Sequence, residues 1–183
     1  MKPGARSSQG VFEKHSECRY FLVQMADYES AGDVQKLLYC LSAFLSAFRS
    51  IAFRLYGVTE MQHGKTAKRS LRDQLHAHPK IGFLVDRSNV EIHEDGVKVW
   101  QRFHVSIGDS TSTDWPSRWN QRTDRWASRF EPRFHQSVQE PVTTVVDWQF
   151  DGYPSNLIEL CYDALNDMDS LIRQNISIGP QVP

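Results

Sequence analysis

Cysteine is scarce in this sequence: three in 183 residues, at positions 18, 40 and 161, odd in number, widely spaced and without a CxxC pair. That excludes a disulfide framework and a cysteine-based zinc site, and predicts reduced thiols in a cytoplasmic protein. Neither glycine (10) nor proline (8) is abundant enough for a collagen-like or low-complexity chain. An excess of one charge is lacking too. Twenty-one Lys plus Arg against twenty-two Asp plus Glu leave a net charge of -1, so any affinity for nucleic acid must come from local patches. The most apolar stretch, Leu37 to Phe48, spans 12 residues with Tyr39 and two serines inside it, short of the roughly 20 needed to cross a bilayer. The N-terminal MKPGARSSQG has no apolar run behind its basic start, which predicts no secretory signal and no membrane partner. With no internal repeat and no linker, residues 1–183 are expected to form one domain.

What is present is first of all helical periodicity. Val11, His15, Cys18, Leu22 and Met25 fall on one helical stripe. Asp33 is a good N-cap for a second helix, in which Val34, Leu37, Leu38, Leu41, Phe44, Leu45, Phe48, Ile51, Ala52 and Leu55 recur at helical spacing until Gly57. A polar, basic helix over 59–76 and another from Pro79 to about Glu94 follow, so four helices are expected in the first half. Beyond Gly96 the period changes to two, in Val97, Val99, Gln101, Phe103, Val105 and Ile107 and again in Val142, Thr144, Val146, Trp148 and Phe150. These predict two strands paired antiparallel. A closing helix after Pro154 turns Leu157, Leu160, Cys161, Leu165, Met168 and Ile172 inward. The expected fold is mainly α (α+β): a bundle over 9–95, a β-hairpin with an Arg/Trp-rich insertion over 96–152, and a closing helix over 153–175.

Two basic segments are candidates for contact with RNA phosphates. Lys65, Lys68, Arg69 and Arg72 share one helical face, which either is solvated or lies along a phosphate backbone. Arg118, Arg122, Arg125, Arg129 and Arg133, spaced by 4, 3, 4 and 4, make a stripe if helical, interleaved with Trp115, Trp119, Trp126, Phe130 and Phe134. Such a stripe neutralises phosphates and stacks bases, or else docks its aromatics on the core while its arginines stay wet. The polar start of that segment, from Gly108, is expected to be a loop.

The most informative string is Arg87-Ser88-Asn89-Val90-Glu91-Ile92-His93. On a helix Arg87 and His93 stand about 120° apart, so one straight helix does not make them a joint site. Asn89, four residues before His93, reaches it and is suited to orient the ring. Read without a catalytic role, His93 favours the helix C-terminal dipole and Arg87 pairs with Asp73, Glu91 or another acid. His76 and His78 diverge on a helix, so a zinc site is not expected, and the HGKT string at 63–66 lacks the rest of a phosphate loop.

The arginine and histidine, separated by five residues near a helix end after a long apolar helix, resemble the Arg-x(4 to 6)-His signature of the HEPN superfamily of helical nucleotide-binding domains. The resemblance covers roughly 33–96, with the last helix as a fourth bundle member. One departure is that Ser88 follows the arginine directly where many members have Asn, Asp or His, and the amide comes at Asn89. The resemblance implies a homodimer in which Arg87 and His93 of two subunits meet in one cleft and cleave RNA without a metal or other cofactor. The 2′-hydroxyl attacks the adjacent phosphate, His93 moves protons, Arg87 stabilises the phosphorane, and a 2′,3′-cyclic phosphate results. It also admits a toxin held by a cognate antitoxin protein. The alternative is a noncatalytic HEPN-like module that binds a nucleotide or a protein.

Overall fold

In the computed structural model the described residues are 8–93, 99–107, 110–119 and 142–176, with side chains described over 8–89, at 99 and 101, and over 147–176. The fold is mainly helical: α1 (Ser8–Ser30), α2 (Val34–Ala77), α3 (Pro79–His93) and α4 (Leu157–Asn175), with extended backbone over β1 (Val99–Ile107), β2 (Ser110–Trp119) and β3 (Val142–Phe150).

The α1 stripe buries Val11, Cys18, Leu22 and Met25 against α2. Gly32, with φ +69°, lets the chain reverse after α1, and the Asp33 carboxylate accepts from the Lys36 backbone N–H to start α2. The core is densest along α2, where Leu37, Leu38, Leu41, Phe44, Leu45, Phe48, Ile51 and Leu55 are almost fully buried and the Phe44 and Phe48 rings stack at 5.7 Å. Each such side chain contributes about 1.5–3 kcal/mol by leaving water. By length and hydropathy α2 is apolar enough to cross a bilayer, but half of that stretch is buried inside the fold.

Helix α2 does not end at Gly57, as the apolar pattern suggested. Gly57 is buried within the helix, and the break comes at Gly64, whose φ of +86° and ψ of 177° are open essentially to glycine alone. Burial explains the difference, since Val58 and Thr59 are as enclosed as Leu55 and the packing that sustains the helix continues past Gly57. Across the break Lys68 Nζ meets Glu60 Oε2 at 2.6 Å, and Leu71 and Leu75 return to the core.

A tight junction at His78 separates α2 from α3. Its backbone N–H donates to the Gln74 and Leu75 carbonyls, and its Nδ1 accepts from Ile81 N–H at 3.4 Å. Gly82 lies so close beneath this turn that a Cβ there would sit 2.5 Å from the His76 carbonyl oxygen. Helix α4 opens on Asn156, whose side-chain oxygen accepts from the backbone N–H groups of Ile158 and Glu159. Lys80 reaches Asp163 at 2.7 Å between α3 and α4, an exposed pair that solvent screens.

The strands run antiparallel in the order β2-β1-β3, with Val99 opposite Phe150 and Gln101 opposite Trp148. Val99, Trp148 and Phe150 are buried and join the helical core. The polar start of the segment after Gly108, expected as a loop, has strand backbone from Ser110, and Ser110–Trp119 pairs with β1. Arg118 therefore has a strand backbone opposite Trp100 and does not begin a helical arginine stripe. Arg122, Arg125, Arg129 and Arg133 lie outside the described residues.

Candidate phosphate-binding cavity

Helical spacing brings one set of candidate side chains together. In the second part of α2, Lys68, Arg72 and His76 follow at intervals of four, a single row along the helix. Leu71 and Leu75 beside that row are buried, which fixes the rotation of the helix and sets the row at the edge of the core. The row borders a cavity of about 630 Å³, whose other walls are Ala52, Phe53, Arg54, Tyr56 and Gly57 from the first part of α2 and Val85 and Asn89 from α3. That volume is within the usual range of small-molecule sites, about 300–1,000 Å³.

Most of the surface that faces the cavity is apolar, and cationic residues stand among its walls. Lys68, Arg72 and Arg54 carry fixed positive charge, His76 adds an imidazole, and no carboxylate is among its described walls. Arg54 is held in place by its Nη1, which donates to the Gly10 carbonyl at 3.0 Å. Glu60, bonded to Lys68, is the nearest counter-charge shown for this row. Burial pushes the Tyr56 phenol up, and the charge of neighbouring Arg72 works against that rise. Phe53 is 55 % exposed, with the Arg49 guanidinium over its ring at 5.0 Å and the edge of the Tyr56 ring at 6.0 Å.

Of the basic face expected from the sequence, Lys68 and Arg72 line the cavity, while Lys65 and Arg69 are exposed outside it. Asn89 lines it as well. Arg87 is turned the other way round α3: its Nη2 donates to the Asp151 carbonyl at 2.5 Å, and its guanidinium lies over Phe83 at 5.0 Å. Phe83 in turn packs with Phe150 and Tyr153. The partner of Arg87 in this contact is thus a backbone carbonyl of the turn before α4, where an acidic side chain was the non-catalytic expectation. His93 is the last residue of α3, one turn beyond Asn89, and its side chain lies outside the described residues. Arg87 and Asn89 accordingly serve different faces of one helix, and the string 87–93 does not gather them at one point.

Sequence reading missed Phe53, Arg54 and Tyr56, and weighed His76 only as a zinc ligand. His76 had a signal, since it continues the Lys68–Arg72 interval. The α2 residues had none, because their meeting with the row depends on the kink at Gly64. His78, the other histidine of that zinc reading, faces Asp167 of α4 at 3.7 Å, and no cluster of metal-ligating residues occurs among the described residues.

Other buried or partly buried groups lie away from the cavity. Cys18 and Cys161 are enclosed in the core, where burial pushes their thiols well above the ordinary range and leaves them unreactive. His15 Nε2 is buried without a hydrogen-bond partner, 3.9 Å from Asp169 Oδ1.

Compared with protein-family models, with curated proteins and with solved structures, the chain matches none.

Proposed function

We propose that this chain is a phosphate-binding helical module that engages RNA or a nucleotide through the cavity between the two parts of α2. The observation that carries this reading is the row Lys68, Arg72 and His76 lining the same concave, partly open site as Arg54 and Tyr56, with no acidic residue among its described walls. Cations that converge on one concave site bind phosphate far better than the same charges scattered over a surface, because low-dielectric walls concentrate their field. Asn89 adds an amide that donates to a phosphate or hydroxyl oxygen.

The test is titration of a single-stranded RNA oligonucleotide at several salt concentrations. Replacing Lys68 and Arg72 together by alanine should reduce affinity at least tenfold and flatten the logarithmic salt slope by about 0.7 for each phosphate that is no longer neutralised. Replacing Lys65 and Arg69, which carry the same charge outside the cavity, should cost much less. Equal reductions in the two double variants would sink the cavity as the binding site.

This reading sits within the HEPN-like one, a helical bundle elaborated by a β-hairpin, and takes its noncatalytic form. The catalytic form is narrower: metal-independent cleavage by Arg87 and His93 of two subunits in a cytoplasmic homodimer, with or without an antitoxin partner. It requires Arg87 to leave the Asp151 carbonyl. Incubation with RNA in chelator, followed by analysis of the ends for 2′,3′-cyclic phosphate, decides between the two forms.

A further inference from the structure

A phosphate needs only the cationic row, yet the same cavity has an aromatic wall. Phe53 is a large apolar side chain more than half exposed at its rim, although burying such a ring ordinarily stabilises a fold. Its ring is held rather than loose: Arg49 lies over it and Tyr56 meets it edge-on, so little side-chain freedom remains to be lost when a planar group settles on it. A guanidinium over an aromatic ring is itself a stacking arrangement that a second flat group extends. Lys68, Arg72 and His76 stand on the opposing part of α2, across the break at Gly64. One end of the cavity lining is thus built for a flat unsaturated ring, and the other for an anion.

We infer that the ligand is a nucleotide with an unpaired base, whose ring stacks on Phe53 while its phosphate is held by Lys68, Arg72 and His76. This rests on the phosphate-binding reading and adds the base to it. A base still paired in a duplex has both faces covered by its neighbours and offers nothing for Phe53 to stack on, so the site takes a mononucleotide or a single strand.

Three probes separate the parts: inorganic phosphate, ribose 5-phosphate and AMP, each titrated calorimetrically into the full chain. The expected order is AMP tightest, by about tenfold or more over ribose 5-phosphate, since stacking of one base on an aromatic ring is of that size. Phe53→Ala should erase the advantage of AMP and leave phosphate and ribose 5-phosphate unchanged, while Phe53→Tyr should keep it. Equal affinity for AMP and ribose 5-phosphate in the unaltered protein overturns the stacking role and leaves the phosphate site standing. So does a Phe53→Ala variant that weakens all three probes alike, because that is the mark of a packing role. Failure of every probe to bind removes the phosphate-binding reading itself, and the base platform with it.

Discussion

The Arg87 guanidinium donates to the main-chain carbonyl of Asp151 at 2.5 Å, across a sequence separation of 64 residues. That contact ties α3 to the turn that precedes α4, and the cation lies on the Phe83 ring that the same turn packs against through Tyr153. Gly152 makes the turn possible with φ +83°, and a Cβ on it would come within 3.5 Å of Arg87 Nη2. The residue that the motif nominates for chemistry is thereby committed to holding two helices together.

Arg87→Ala should therefore lower stability by about 2 kcal/mol, the sum expected for a charge-assisted hydrogen bond and a cation–π contact, or roughly 4–8 °C in Tm for a chain of this length. Phosphate affinity should change less than twofold. Thermal denaturation and titration of the same sample check both, and a loss of RNA turnover with Tm intact would restore the catalytic role.

Glu60 competes with the ligand for Lys68, since its carboxylate already holds the ammonium at 2.6 Å. Glu60→Gln should tighten phosphate binding by up to about fivefold at low salt, the scale of a partly exposed ion pair, and the gain should shrink as salt is added. A weaker site in this variant would mean that Glu60 positions Lys68 for the anion.

Two glycines are needed for different reasons. Gly64→Ala and Gly64→Asn should both cost about 1–3 kcal/mol, because the backbone there lies in a region that even asparagine avoids. Gly82→Ala meets the His76 carbonyl instead, so it should both destabilise, by a similar amount, and weaken phosphate binding by displacing the end of the cationic row. Urea denaturation with parallel binding measurements separates the two patterns.

Acid should loosen the packing of α1 on α4. Burial holds the His15 imidazole below its ordinary 6.5; Asp169 opposes this, while Arg19 and Arg173 reinforce it. The folded protein then binds fewer protons than the unfolded chain at mildly acidic pH. The stability that His15 contributes is complete above pH 6.5 and is lost as pH falls from there towards the lowered folded value. Glu29 shifts the other way, its carboxyl raised by burial and by Asp147, so the wild-type curve mixes two effects. The difference between wild type and His15→Gln isolates the histidine: it should narrow or reverse in favour of the variant on going from pH 7.5 to 5.5. A difference that does not change with pH would remove His15 as the cause.

The helices were legible because their signals are local. The stripe Val11, Cys18, Leu22 and Met25, the Asp33 cap and the inward face of α4 need no knowledge of the partner element. Gly57 and Gly64 show the limit, since the identity of the residue is the same and only the packing around it says which one interrupts the helix. Pairing of residues 110–119 with β1 was invisible for a similar reason: a run of serine and threonine has no marked period, and its place is set by the neighbouring strand. Half of the cavity could be read as charges at intervals of four on one helix. The other half, Phe53 with Arg54 and Tyr56, joins it only through the kink at Gly64, whose direction periodicity does not encode. For the Arg87–His93 string, helical spacing already set the two residues about 120° apart, and the side chain of His93 lies outside the described residues.

Every described wall of the cavity comes from between residues 52 and 89. A site assembled from so short a stretch closes small loops when it forms, at little entropic cost, and is favoured to assemble early, before the distant strand contacts. It is also transplantable in principle: the described determinants of the pocket travel together in one uninterrupted segment. Moving that segment alone into another helical scaffold would carry every described wall with it.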